Sequence, residues 1–249
     1  MVSNQQDPLP REGTAVKKKI VISLSCLVVV LVASMALVAS GTNKFTFSPD
    51  LRTVRANNLP AHVTPAPQDQ EVLTPIASNL SAYPTGTYFS VFGNTIDQGV
   101  NGFPFQIWQG NAFTPTANAT VTELQAGVGD LNAGYGSIEL SLYADNNGVP
   151  GNVIKSFRVQ NVQPYGDCCG LATAHDRAGI PVTAGTQYWF VVSTTPRDVD
   201  IYGWNFNTMS MTPQLAAEFC NGSPTYCGSN NGIWVPYQYV ANAYAVLGK

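Results

Sequence analysis

Charge is what this chain has least of: only 11% of its 249 residues are Asp, Glu, Lys or Arg. With only two histidines, His62 and His175, it has little material for a general base or a zinc site. Amphipathic helices are missing too. From Ala77 onward no window keeps an apolar 3.6-residue period for three turns, and Gln214 to Phe219 is expected to form a short helix at best. With 22 Gly and 17 Pro in the chain, strands and turns take over, and the expected class is all-β.

The charges present are unevenly placed. Before Gly41, four basic residues (Arg11, Lys17, Lys18, Lys19) face Asp7 and Glu12, a net of +2. From Gly41 onward, eight basic side chains face thirteen acidic ones, a net of −5. No basic stripe remains in the folding part, so nucleic acid is not an expected partner.

Lys17-Lys18-Lys19 is followed by Ile20 to Ala39, twenty residues without a charge. That run is long enough to cross a bilayer core as a helix, and the lysines would hold its start in the cytoplasm. It ends on Val38-Ala39-Ser40-Gly41, small residues of the kind a signal peptidase cleaves. Signal peptide and uncleaved signal anchor both stand; either one places the remainder outside the cytoplasmic membrane. Cys26 lies within the run and reads as a small apolar residue.

Four cysteines then remain: Cys168, Cys169, Cys220 and Cys227. An even number outside the cytoplasm suggests two disulfides. The Asn221-Gly222-Ser223-Pro224 turn favours pairing Cys220 with Cys227, which leaves Cys168 with Cys169. Long-range pairing between the two groups is the alternative.

The expected layout is a polar n-region over 1–19, the hydrophobic segment over 20–40, a Pro-rich spacer over 41–84 and a β-domain over 85–249. Pro49, Pro60, Pro65, Pro67, Pro75 and Pro84 make the third of these an extended stalk. Within the domain, Ile138, Leu140, Leu142 and Ala144 alternate with Glu139, Ser141, Tyr143 and Asp145, the pattern of a half-buried strand. Asp145 to Gly151 turns the chain and Val153 to Phe157 leads away, predicting a hairpin with a longer loop. Thr120 to Val128 alternates as well, with Glu123 and Gln125 on the wet side. Thr186 to Thr194 is apolar on both faces and predicts a central strand. With Phe105 to Trp108, Val199 to Phe206, Ile233 to Tyr237 and Ala241 to Leu247, eight or nine strands are expected. The economical architecture is an antiparallel two-sheet jelly-roll-like sandwich.

Ala112-Phe113-Thr114-Pro115, Val121-Thr122-Glu123-Leu124, Leu142-Tyr143-Ala144-Asp145 with Gly148-Val149-Pro150-Gly151, Gly166-Asp167-Cys168-Cys169 and Val182 to Trp189 together resemble the exported bacterial modules called choice-of-anchor domains and their secreted relatives. The resemblance covers about a third of the chain and lies in turns and strands. It implies a surface β-sandwich and carries over no catalytic residue. The chain ends at Gly248-Lys249 without the sorting tail often appended to such modules, so the N-terminal segment is the expected anchor.

Chemistry is thinly signposted. Asp145-Asn146-Asn147-Gly148 lacks the spaced carboxylates of a calcium loop and reads as a turn. Glu123, Glu139 and Asp200 are the acids a polysaccharide hydrolase would use. Cys168 and Cys169 with His175 would be the only thiol–base set, and Ser193, Ser210 and Ser229 sit in no nucleophile elbow. No cofactor or metal is expected. Aromatics remain: Trp204-Asn205-Phe206-Asn207 and Trp234 lie near Gly/Asn-rich loops, where a ring can stack on a sugar and an amide can bind its hydroxyls. Trp204, Asn205, Asn207 and Trp234 are therefore the candidate ligand residues, with core packing the competing role for both tryptophans. The favoured expectation is a non-catalytic exported module with a glycan or other cell-surface ligand. A secreted polysaccharide hydrolase and a purely structural surface protein are the alternatives.

Overall fold

A computed structural model describes residues 45–57, 62–63, 73–80, 87–88, 92–99, 103–132, 136–166, 171–207 and 213–249. All of these belong to one unit, Asn43–Lys249. The hydrophobic segment, Cys168 and Cys169 lie outside the described residues. Among the described residues no helix is long and apolar enough to cross a membrane.

The unit is built from antiparallel strands. The larger sheet runs β16 (Ile233–Val240), β15 (Pro213–Asn221), β7 (Gln106–Phe113), β13 (Tyr188–Thr194), β10 (Ser137–Asp145) and β11 (Pro150–Gln160). A second leaf joins it where β6 (Phe92–Gln98) meets β7; it holds β1 (Phe45–Phe47), β2 (Thr53–Ala56), β6, β14 (Tyr202–Asn205) and β9 (Val128–Asp130). The smaller sheet is β12 (Ala172–Val182), β8 (Ala119–Ala126), β17 (Tyr244–Gly248) and β4 (Thr74–Ser78). β3 (His62–Val63) and β5 (Thr87–Tyr88) pair with each other.

The two sheets close on one core. Leu140, Leu142, Phe190 and Val192 from the larger face Val121, Leu124, Ala126 and Val246 from the smaller. Ile138, Leu140, Leu142, Phe190 and Val192 have no exposed surface, at roughly 1.5–3 kcal/mol of transfer free energy for each large apolar side chain. The apolar run around Trp189 becomes β13, paired on both edges and buried over its whole length. The Ser137 hairpin forms, and its turn is tight: Asn147 and Gly148 both take positive φ, and the Asn146 amide donates to the Val149 carbonyl at 2.8 Å.

Three expectations need correction. Gln214 to Phe219 lies inside strand β15, because its neighbours β7 and β16 supply a ladder on each side. Glu123 and Gln125 are buried: their cross-strand neighbours on β17, Leu247 and Ala245, belong to a second buried apolar cluster with Leu80 and Ala243, with Leu73 and Leu171 packed against it. Stretches of the spacer fold into the unit, since β1 and β2 extend the β6 leaf, burying Val54 completely, and β4 edges the smaller sheet. The described helical structure is only α1 (Pro224–Cys227) and the 3₁₀ turn Gly228–Asn230 that follows it.

Candidate functional site

β6 and β15 both pair with Gln106 and Ile107 of β7, from opposite edges, so the β2–β6 leaf and the β15–β16 ribbon diverge from there. Between them opens a cleft of about 400 Å³. Strand alternation decides what faces it. On β15, Glu218 and Cys220 point inward; on β16, Val235, Tyr237 and Tyr239 do; β2 and β6 add Thr53 and Asn94, and the preceding turn adds Asp50 and Arg52. The opposite parity puts Phe219, Trp108 and Trp234 on the other face of the ribbon. There Phe219 stacks on Trp108 at 4.9 Å and lies 5.6 Å from Trp234.

The floor of the cleft is a connected polar network. Arg52 ion-pairs with Glu218 through Nη1 and donates from Nη2 to the Tyr226 carbonyl at 3.0 Å. The other Glu218 oxygen accepts from the Gln109 amide at 3.0 Å. The Tyr237 hydroxyl donates to Gln109 Oε1 at 2.6 Å, and burial pushes that phenol far above its ordinary pKa against the opposing pull of Asn94 and Arg52, so it stays a neutral donor. Asn94 donates to Asn242 Oδ1 at 3.0 Å. Asn242 ties this floor to the core: its amide donates to the Trp204 carbonyl at 2.7 Å and its own carbonyl accepts from Asn79 and Asn111.

Cys220–Cys227 is a disulfide, and both sulfurs' residues line the cleft. The loop it closes carries Tyr226, whose ring stacks on buried Phe105 at 5.1 Å. Tyr239, 43% exposed, stands at the mouth with its ring near Tyr237 and Phe206.

The four candidate ligand residues do not converge. Trp204 has no exposed surface: its indole N–H donates to the Ala243 carbonyl at 2.9 Å and its ring meets Phe190 edge-on. The cause is local, since β14 is held between β6 and β9, and Gly93 approaches the Trp204 carbonyl too closely to admit a side chain. Asn205 is buried with its amide donating to the Gly127 carbonyl at 2.8 Å, and Asn207 donates to the Asn79 carbonyl. None of these three offers a face to a ligand. Trp234 is half-buried on the far side of the ribbon, with Phe219 and Tyr143 beside it. The cleft residues Asp50, Arg52 and Tyr239 escaped sequence reasoning; the β16 alternation of Val235, Tyr237 and Tyr239 was the one signal available.

The acids are equally dispersed. Glu123 sits on β8 between Gln125 and His175, whose Nδ1 is 2.9 Å away; burial raises the carboxyl above its usual range although both neighbours pull it back. Glu139, on β10 in the other sheet, accepts from the Ser156 hydroxyl. Asp200 lines a separate cleft of about 360 Å³ with Ser137, Arg158, Arg197 and Asp198. Asp145 works as a turn lock: burial disfavours its charge, but hydrogen bonds from Trp189, Gly148 and Gln187 outweigh that and hold its pKa low. Among the described residues no cluster of His, Cys, Asp or Glu has the arrangement of a metal site.

No family model, curated protein or solved structure matches this chain.

Proposed function

We propose that the chain is an exported or membrane-anchored, non-catalytic β-sandwich module that binds a sugar in the cleft between the β2–β6 leaf and the β15–β16 ribbon. The observation that carries this is the combination at one opening of the Tyr239 ring with the Asn94, Tyr237 and Arg52–Glu218 network. Aromatic faces take the apolar side of a sugar ring, and a few convergent polar groups fix its hydroxyls. The disulfide fits an oxidising compartment, and the charge-free run over 20–39 behind three lysines supplies the route there. The likeness to choice-of-anchor modules and a jelly-roll-like winding of the two sheets belong to the same reading. No observation favours the hydrolase alternative, since Glu123, Glu139 and Asp200 share no cleft or hydrogen bond.

A glycan array probed with the wild-type chain and with Tyr239→Ala tests it. The expected result is binding by the wild type that the variant loses. No binding by either, with the fold intact by circular dichroism, overturns the reading.

A further inference from the structure

Resting on that reading, we infer that the cleft selects a sugar bearing a free, protonated amine over neutral and acidic sugars, with Asp50 as the group that recognises the charge. Arg52 is the single cation among the lining residues and is already engaged. Nη1 goes to Glu218, Nη2 donates to the Tyr226 carbonyl at 3.0 Å, and Nε faces the Asp50 carboxylate at 3.7 Å. A ligand carboxylate would have to displace Glu218 from that fork, leaving a carboxylate that is nearly nine-tenths buried without its counter-charge.

Glu218 is equally committed, with one oxygen on Arg52 and the other on Gln109. The ion pair cancels itself, and Asp50 is the remaining formal charge in the lining. Its Oδ1 accepts from the Ser48 hydroxyl and the Arg52 amide, which fixes the carboxylate in place. Among the described residues no hydrogen-bond donor reaches Oδ2, which faces Arg52 Nε at 3.7 Å, and the side chain is 59% exposed at the rim. A fixed, accessible carboxylate beside aromatic rings attracts an ammonium and repels a uronate. An N-acetyl group removes the charge and adds bulk at the same place.

The test is calorimetric titration of the full-length chain in detergent, at mildly acidic pH where a sugar amine is protonated. The probes are β-1,4-linked tetramers of glucosamine, N-acetylglucosamine and glucose, and a tetragalacturonate. The expected order puts the glucosamine tetramer about tenfold or more ahead of the neutral pair, with the uronate weakest. Added salt should narrow the gap, because an exposed charge is screened. Asp50→Asn, a change at an exposed position, should bring glucosamine within about threefold of the neutral tetramers, a difference under 1 kcal/mol. Equal or tighter binding of the uronate or a neutral tetramer overturns the charge selection and leaves the sugar-binding reading standing. So does an Asp50→Asn variant that keeps the full preference. No heat from any of the four tetramers overturns both.

Discussion

Gln109 and Glu218 sit opposite each other on β7 and β15, and the amide of one donates to the carboxylate of the other at 3.0 Å while both are buried. A lone carboxylate in that position would be costly. Arg52 reaches it from the neighbouring leaf, so the ion pair also ties the two walls of the cleft together. Removing Arg52 leaves the buried Glu218 carboxylate uncompensated, and removing Glu218 leaves Arg52 with only the looser Asp50 carboxylate at 3.7 Å. Arg52→Met and Glu218→Gln should therefore be non-additive, with a coupling of about 1–3 kcal/mol in a urea-denaturation double-mutant cycle. Additive effects would mean the pair does not hold the walls.

Asn242 is the second fixed point. It is 1% exposed, and its side chain accepts from Asn94 and donates to the Trp204 carbonyl. Asn242→Ala orphans a buried donor and a buried acceptor at once, so it should cost about 2–4 kcal/mol by the usual penalty for each. Because Asn94 stands on the cleft floor, sugar binding should weaken in the same variant while it remains folded. A urea midpoint close to wild type would contradict the network.

Much of the framework was legible in the chain because half-buried strands alternate and a doubly covered one is apolar throughout. The hairpin after Ser137 announces itself through apolar alternation and Asn-Gly turn chemistry, and the strand around Trp189 through an unbroken apolar run between Gly185 and Pro196. The burial of Glu123 was hidden because the apolar cluster beside it, entered through its β17 neighbour Leu247 and shared with Leu80, Leu171, Ala243 and Ala245, is drawn from distant segments. β15 was hidden because Ala216 and Ala217 favour helix locally and become strand only between two ladder partners. Trp204 misled for a related reason: a Gly/Asn-rich neighbourhood suggests a loop, yet Gly93 is there to let β14 come close and Asn205 caps a buried carbonyl. The cleft was the least legible part. It is made by strands whose pairing with β7 no local pattern records.

Glu123 predicts the direction of a pH effect. Its carboxyl is raised from 4.5 chiefly by burial, so the folded state holds that proton more tightly than the unfolded state does. Stability from this group is therefore full on the acid side and falls as pH rises through the raised value. Glu123→Gln removes the penalty. The melting temperature of the variant relative to wild type should rise as pH climbs above 4.5 and level off once the folded-state carboxyl has ionised. A constant difference across that range would show that the His175 and Gln125 contacts offset the burial completely.

The Cys220–Cys227 disulfide supports the cleft as well as the chain. It links residues seven apart, a small loop for which chain entropy gives about 2–3 kcal/mol. That loop presents the Tyr226 carbonyl to Arg52 and the Tyr226 ring to Phe105. Freed from the bond, the loop gains conformations in which Arg52 loses its second acceptor, and Arg52 is the group that holds Glu218 in register. The Cys220→Ser/Cys227→Ser double variant should therefore lose stability by about that amount and also bind sugar more weakly than its remaining folded fraction explains. The sandwich core, whose cluster includes neither cysteine, should keep its near-ultraviolet signature from Phe190 and Trp204. Titrating affinity against folded fraction in the two proteins separates these effects: a loss of binding that tracks unfolding alone would reduce the disulfide to a staple, and a loss that exceeds it makes the loop a wall of the site.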